Sequence, residues 1–442
     1  MISLFNIKNF LFSINEDHRR ILRGLLVVTF FVAVGKLTGA AKEVAVAYRF
    51  GMSEIVDVYV LAFTYAIWIP AIAGTVIYTI YVPLIHKLDK KNADSFAREF
   101  AAFSLILAGL ATLLLLYLLP VVLDKLSPEY SENSKAVLRN FAFGFAPLAG
   151  VGILTAQIST MLLAEERHTN TLFDAIPSLC IIIFVLLWNP SNSANSLLWG
   201  TVTGMTLQAV GLYLLLSHNR TTFLPAFKFS SNGWTQFREF IGIVLATQVV
   251  MSFVDPVSTA IAANLGTGNV AGLGYSTRLL ALFLTLGASA VARAILPVLS
   301  NTRRSEDNRK RLAIQWSLLL FAIGIGTAIV TWIVAPAMVQ LLFERGAFTA
   351  ADTLEVSRGV RFGVLQFPFF FPAIVLVQYF ISQGNYRIIF ISACLALSTK
   401  IIFSLIFARY YSFAGIVLAS TPMYAANAAL FVGALIRSKK RR

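Results

Sequence analysis

The sequence is poor in charged residues for its length. Asp, Glu, Lys and Arg make up only 13% of its 442 residues, against about 25% in a typical soluble domain. Hydrophobic residues make up 57%, and the mean hydropathy is +0.75. This shortage of charge excludes an ordinary soluble globular protein and indicates a membrane protein that crosses the bilayer several times.

Cysteines and catalytic motifs are also scarce. The two cysteines, Cys180 and Cys394, lie in apolar stretches and lack metal-ligand spacing, so we interpret both as core residues. The sequence contains no His-Glu-x-x-His, no Gly-x-Ser-x-Gly and no glycine-rich phosphate loop with lysine. We therefore expect a protein that is not an enzyme and that uses no cofactor and no metal.

Twelve apolar stretches have roughly the length that a helix needs to cross a bilayer. Several contain glycine or proline, so we expect tilts and kinks. The N-terminus lacks a small-residue cleavage site after a short apolar core, so we expect no removable signal peptide. The predicted fold is an all-α polytopic membrane protein with helices near residues 24–48, 56–85, 101–124, 137–163, 171–188, 196–217, 238–263, 269–299, 314–342, 358–382, 388–408 and 413–436.

The basic residues predict how the chain is oriented in the membrane. The formal net charge is +15, but these residues alternate with apolar stretches instead of forming one patch, which argues against a nucleic-acid partner. With the N-terminus placed inside, 23 of the 36 Lys and Arg residues fall in inside segments, 8 in outside loops and five within or at the edges of helices. This asymmetry supports an even number of helices and predicts that both termini lie in the cytoplasm.

The sequence contains an internal repeat. Residues 45–51 read AVAYRFG, and residues 260–266 read AIAANLG, an offset of 215. The helices that follow close on Val-Pro-Leu at Pro83 and on Leu-Pro-Val at Pro297, an offset of 214. A slip of one residue over so long a window indicates a duplication.

The duplication predicts two halves with six helices each, residues 1–220 and 221–442. Because the halves have the same orientation, their pseudo-axis should run along the membrane normal. We therefore expect two six-helix bundles with a cavity between them.

Charged residues within the apolar stretches are the candidate functional residues. A charge in the bilayer core is costly, so such residues face a cavity or a partner and mark sites by default. The first half offers Lys36, Lys42, Glu43, Asp57 and Asp174, and the second half offers Asp255, Arg278, Arg293 and Lys400.

This charge set is net cationic, and it suits a phosphate-bearing substrate. Arginine forks and lysine point charges bind phosphates well, so we predict an amphipathic substrate with an anionic head, such as a lipid phosphate or pyrophosphate. A cation antiporter would line its cavity with carboxylates and aromatic rings instead.

Several of these charges also have ordinary structural explanations. Lys42, Glu43 and Arg293 lie toward helix ends, where long side chains reach the interface. Asp255 precedes Pro256, which loosens the helix around the acid. Asp255 is then either a cation or proton site, or a salt-bridge partner of Lys400 or of Arg278.

Three stretches carry a resemblance to a known family. Residues 35–63 are similar to its Arg-x-x-Gly…Asp…Phe-Gly…Asp pattern, and residues 273–300 to its Tyr-Tyr-Ala-Asp-Arg-Leu…Leu-Pro-x-Leu-Ser pattern. The most specific stretch is LFERGAFTAADT at residues 342–353, followed by Pro368 and by Gln-Gly-Asn at residues 383–385. On these residues the chain resembles the lipid II flippase family (MurJ/MviN) of the multidrug/oligosaccharidyl-lipid/polysaccharide exporter superfamily.

The resemblance implies transport of an undecaprenyl-pyrophosphate-linked saccharide by alternating access between two six-helix bundles. It places substrate-binding roles on Lys36, Lys42, Glu43, Asp57 and Arg278. Residues 70–75 read PAIAGT where the family has a pair of arginines, and the family's two further C-terminal helices have no counterpart here. The implied substrate is therefore a lipid II-like precursor or an exopolysaccharide or O-antigen unit.

Two alternatives remain open at this point. One is a cation-coupled small-molecule antiporter of the multidrug type from the same superfamily, and the other is a scaffold that transports nothing. For a flippase, the expected partners are the lipid-linked saccharide, membrane lipids and either a coupling ion (Na+ or H+) or the membrane potential. Asp255, Lys400 and Arg293 are the candidate ion-coupling or charge-pair residues.

The predicted topology is tested by cysteine labelling in a background without Cys180 and Cys394. Cysteines at Asn308 and in the C-terminal tail should react only with reagent on the cytoplasmic side, and cysteines at Asn192 and Thr349 only with reagent outside. Labelling at Asn308 from outside would exclude the twelve-helix arrangement.

Overall fold

The computed structural model of the protein describes residues 34–165, 168–187, 194–217, 224–299 and 306–440. Throughout these residues the ordered elements are helices, and no β-strand occurs. The prediction of an all-α membrane protein is therefore confirmed.

Most helices of the first half match the predicted segments to within a few residues at each end, although the third starts eleven residues earlier than predicted. A short 3-10 segment, His168–Ala175, leads into the fifth span. The helices are α1 at residues 34–50, α2 at Glu54–Ile85, α3 at Lys90–Leu126, α4 at Glu132–Phe145, α5 at Pro147–Ala164, α6 at Ile176–Leu187 and α7 at Asn195–Ser217.

The second half repeats this plan with more interruptions. Its helices are α8 at Gly233–Ser252, α9 at Val254–Ala263, α10 at Asn269–Leu299, α11 at Glu306–Phe343, α12 at Ala350–Val364, α13 at Phe367–Ser382, α14 at Tyr386–Leu418 and α15 at Ser420–Lys440.

Eight helical spans of the described residues are long and apolar enough to cross a membrane, and α12 with α13 makes a ninth if the two are counted together. That pair bends by 44°, and Pro368 follows the bend in the first turn of α13. Pro147 occupies the same position after the break between α4 and α5. Proline is favoured in a first helical turn, so both residues suit the start of a new helix after a break.

The internal repeat is visible in the backbone. Gly51 and Gly266, which end the two repeated heptapeptides, both have positive φ angles, 58° and 95°. This left-handed conformation favours glycine because it has no Cβ. At Gly51 a Cβ would also lie 2.4 Å from the carbonyl oxygen of Ala347, so the site admits no side chain.

The segment that joins the two halves is anchored to α3 through Glu99, which is only 2% exposed. Its carboxylate accepts hydrogen bonds from the backbone N–H of Ser231 (3.1 Å), the Ser231 hydroxyl (2.7 Å) and the indole N–H of Trp234 (2.7 Å). Next to it, the N–H of Ala226 donates to the carbonyl of Arg98 at 3.0 Å. The start of α8 is thereby fixed to the first half.

An aromatic cluster surrounds this anchor. Trp234 contacts Phe96, Phe100 and Phe103 of α3 with ring centroids 5.3 to 6.1 Å apart. Aromatic pairs at such distances add to the apolar burial. The beginning of the second half is therefore held by both packing and charge-assisted hydrogen bonds.

We expect Glu99→Ala to destabilise the protein by about 3 kcal/mol, since it leaves several buried donors without an acceptor. The measurement is the thermal unfolding midpoint in detergent. Glu132→Ala is the matched control, because Glu132 forms an exposed ion pair with Lys135 and such pairs contribute little. Equal midpoints for the two variants would show that the Glu99 contacts do not anchor α8.

Candidate functional site

A cavity of about 450 Å³ lies between the two halves. Helix α2 forms its wall on the side of the first half, and α9, α10, α14 and α15 form the opposite wall. The charged residues that line it are Asp255, Arg278 and Lys400. The predicted interhalf cavity therefore exists and contains three of the charges that the sequence singles out.

Arg278, Glu43 and Lys42 form one charge cluster at this cavity. The Glu43 carboxylate lies between the two bases: Lys42 Nζ is 2.6 Å from Oε1, and Arg278 Nη1 donates to Oε2. The Glu43 side chain is 8% exposed, whereas those of Lys42 and Arg278 are 13% and 28% exposed. The cluster carries one net positive charge, and its cations are more accessible than its carboxylate.

Asp57 is fully buried and binds the beginning of α10. Its carboxylate accepts hydrogen bonds from the backbone N–H groups of Gly268 and of Ala271, the latter at 2.7 Å. The first N–H groups of a helix lack intrahelical partners and carry partial positive charge, so a carboxylate there is stabilising. Asp57 thus acts as a cap that the first half supplies to a helix of the second.

Further contacts between the halves lie beside this cap. The Tyr275 hydroxyl donates to the carbonyl of Gly51 at 3.0 Å, and the N–H of Ala347 donates to the carbonyl of Tyr48 at 2.8 Å. We call these two bonds, the Asp57 cap and the Glu43–Arg278 ion pair the interhalf latch. The latch closes the end of the molecule that carries Gly51.

The opposite end of the interface contains a second cavity of about 420 Å³. It lies between α2, α8 and the start of α14, and Pro83, Lys87, Gln236 and Tyr386 are among its lining residues. At this end α8 packs on α2 and α3 of the first half, and the cavity lies between them and the start of α14.

Lys36 does not belong to the charge cluster. It lies six residues from Lys42 on α1, a rise of about 9 Å, and its side chain is exposed. It attracts the carboxylate of Asp174, which also accepts a hydrogen bond from Gln208 at 2.9 Å. The structure thus joins Lys42, Glu43 and Arg278, and leaves Lys36 apart.

Lys400 is buried, at 4% exposure, and its ammonium binds neutral oxygens. It donates to the carbonyl of Ile416 at 2.6 Å and to the hydroxyl of Ser420 at 2.8 Å. Asp255 lines the same cavity and attracts the ammonium. Among the described residues, Asp255 makes no ion pair within 4 Å, and the acid that contacts Arg278 is Glu43. The side chain of Arg293 lies outside the described residues.

Two aromatic residues of α2 that contact the second half were missed by the sequence analysis. The Tyr65 hydroxyl donates to the carbonyl of Pro256 at 3.0 Å, and the Trp68 indole N–H donates to the Ser252 hydroxyl at 2.9 Å. Both bonds join α2 to the second half near the break between α8 and α9. The sequence feature that could have identified them is a tyrosine and a tryptophan three residues apart in a largely apolar stretch.

The wall of the interhalf cavity carries charged groups of both signs. Among the residues that the structure describes, no three His, Cys, Asp or Glu side chains come close enough to hold a metal ion. The cavity wall carries the guanidinium of Arg278 and the ammonium of Lys400, together with the carboxylate of Asp255. Such cations bind phosphate oxygens.

Comparison with known proteins points to one transporter family. The family model described as lipid II flippase MurJ matches residues 46–441. A protein of Buchnera aphidicola subsp. Baizongia pistaciae named "Probable lipid II flippase MurJ" is 22% identical over 417 residues, covering 90% of this chain and 80% of its own.

Solved structures share the same fold. A structure of lipid II flippase MurJ in an inward closed conformation superimposes with a TM-score of 0.80 at 20% identity, covering 92% of this chain and 87% of its own. An inward-facing multidrug resistance MATE family transporter of the MOP superfamily follows with a TM-score of 0.75 at 16% identity, covering 92% and 96%.

We expect Asp57→Ala to loosen the latch, because the N–H groups at the start of α10 lose their acceptor. A loss of about 1–2 kcal/mol would raise the open fraction roughly 5- to 30-fold. The measurement is the labelling rate of a single cysteine at Thr277 on the cavity wall, with an impermeant reagent added at the latch end.

Glu54→Ala is the control for this experiment. Glu54 lies three residues before Asp57 on α2, but its carboxylate accepts hydrogen bonds from Ser131 of the first half. This variant should label like the parent. An unchanged rate in Asp57→Ala would mean that the cap does not hold the halves together.

Proposed function

The chain belongs to the lipid II flippase MurJ family, and on this premise we propose that it moves a lipid-linked saccharide across the membrane by alternating access. As a member it is a multi-pass protein of the bacterial inner membrane. The proposed substrate is a saccharide on undecaprenyl pyrophosphate, either a lipid II-like cell-wall precursor or an exopolysaccharide or O-antigen unit.

The observation that carries the proposal is the position of Arg278. Its guanidinium lines the interhalf cavity, and the carboxylate that holds it is more deeply buried than the guanidinium itself. A guanidinium has five N–H donors, and in the described part of the chain Glu43 engages one of its nitrogens. The remaining donors are available to a pyrophosphate, which an arginine fork binds in a bidentate manner.

The same contact offers a way to couple binding to movement. A pyrophosphate on Arg278 competes with the Glu43 carboxylate, which belongs to the other half of the chain. Substrate binding therefore weakens one contact of the interhalf latch, and the cap that Asp57 of α2 forms on the start of α10 becomes the main remaining one. A ligand shifts a conformational equilibrium only through such differential contacts.

The other predicted residues fit supporting roles. Lys42 neutralises Glu43 once Arg278 is engaged, because its Nζ lies 2.6 Å from that carboxylate. Lys36, exposed on α1, provides a second cation for the anionic head as it passes. The lipid tail stays in the surrounding membrane lipids, and no nucleic acid is involved.

A multidrug-type antiporter is the second candidate. The fold similarity to MATE transporters favours it, as does Asp255, whose carboxylate lines the cavity. Against it stand the two cations in the same cavity, Arg278 and Lys400, because a cationic drug would be repelled. The flippase assignment therefore fits the charge of the cavity better.

We expect Arg278→Ala to abolish flipping of lipid-linked saccharides in vesicles, whereas Arg278→Lys should keep part of the activity because its charge remains. Loss of one desolvated phosphate contact costs about 2–5 kcal/mol, or roughly 30-fold or more in affinity. Arg139→Ala is the control, since Arg139 forms an exposed ion pair with Asp124, and it should flip normally.

The double variant Arg278→Ala/Glu43→Ala separates substrate binding from a purely structural role. The double substitution removes both members of the Arg278–Glu43 pair and leaves Lys42, whose side chain is 13% exposed, as the remaining charge of the cluster. We expect the double variant to be stable and inactive. Recovered flipping would mean that Arg278 serves only to neutralise Glu43.

A further inference from the structure

We infer that the ammonium of Lys400 occupies an oxygen-lined cation site at the cavity wall, so that a cation covalently attached to the protein stands where an exchangeable alkali cation would bind. The inference rests on the proposed function in one respect, since it implies that transport does not depend on an alkali cation at this site. Its structural part can be tested without any transport measurement.

The ligands of the Lys400 ammonium are those of a cation site. Ile416 contributes a backbone carbonyl at 2.6 Å and Ser420 a hydroxyl at 2.8 Å. Alkali and alkaline-earth cations take oxygen ligands of these kinds together with a carboxylate. The third component is present as well, because Asp255 lines the same cavity and attracts the ammonium.

A break in the helices makes these oxygens available. Ile416 is one of the last four residues of α14, whose carbonyls lack regular helical partners, and α15 begins at Ser420. Just before them, Ser412 has a positive φ of 53°, which separates the end of α14 from its main part. Lys400 lies in that main part, so its side chain spans the interruption.

A lysine at this depth is not explained by interfacial exposure. Lys400 is fourteen residues from the start of α14, about 21 Å along the helix, and it is only 4% exposed. Intramembrane lysines are rare, and they pair with carbonyls or acids where they serve a function. Here both kinds of partner are present: the Ile416 carbonyl is in contact with the ammonium, and Asp255 lines the same cavity.

The arrangement has a direct consequence for ion dependence. The tethered ammonium and the Asp255 carboxylate together carry no net charge, as an alkali cation and the same acid would. A second cation is repelled while the lysine remains. The equilibrium between the two conformations of the proposed alternating access should then be independent of the concentration of sodium, lithium or potassium.

The experiment measures thermal unfolding midpoints in detergent with NaCl, LiCl or KCl, replaced at constant ionic strength by N-methylglucamine chloride. The wild-type midpoint should not depend on the cation. Lys400→Ser removes the ammonium and adds a hydroxyl, and its midpoint should rise saturably with at least one alkali cation. Lys400→Ser/Asp255→Asn should lose this response. Lys135→Ser, which removes a lysine from an exposed ion pair, should show none.

Two results would overturn the inference. One is a saturable alkali-cation response of the wild type that Asp255→Asn abolishes, because an exchangeable ion would then bind beside Lys400. The other is a Lys400→Ser protein that responds to none of the three cations. If that variant folds poorly, its yield of folded protein in each chloride replaces the midpoint, and recovery in none of them counts against the inference.

A vesicle assay distinguishes this inference from the proposed function. Wild-type flipping should be equal in sodium, potassium and N-methylglucamine buffers. If no lipid-linked saccharide is flipped in any buffer, the proposed function fails, while the midpoint measurements still decide what occupies the site. If flipping requires sodium and Asp255, the function stands and the tethered-cation inference fails.

Discussion

The structure depends on the need to compensate charge inside an apolar interior. A buried carboxylate without partners costs several kcal/mol, and here two carboxylates of the first half find their partners in the second. Glu43 binds Arg278, and Asp57 binds the first N–H groups of α10. The Glu43–Arg278 contact and the Asp57 hydrogen bonds are made only while the halves meet at this end, so the compensation of buried charge also favours one conformation.

The need to compensate buried charge also determines which charges face the cavity. In the cluster of Lys42, Glu43 and Arg278 the carboxylate is hidden and the guanidinium reaches the cavity, although the two charges are equal in size. Lys400 is satisfied by neutral oxygens, so its charge is not cancelled by contact with an acid. The proposed preference for an anionic head therefore rests on which member of the Glu43–Arg278 pair is more exposed, and not on the number of charges.

Much of this architecture could be predicted from the sequence, because helix length and apolar periodicity are local properties. The twelve stretches lie on helices wherever the structure describes them, and the repeated heptapeptides end in left-handed glycines. The pairing of charges could not be predicted, because the partner of Arg278 lies 235 residues away. Glu99 was also overlooked, since an acid near a helix end resembles a solvent-exposed residue until its donors are located.

The anchoring of α8 has a mechanical consequence. Because Glu99 and its aromatic neighbours hold the beginning of α8 on the first half, the helix behaves as a lever whose fulcrum is the break at Phe253. Its twenty residues span about 30 Å. A rotation of about 10° at the break would displace the anchored end by about 5 Å relative to the rest of the second half, so a small loosening of the latch would widen the gap between α8 and α14 at the opposite end.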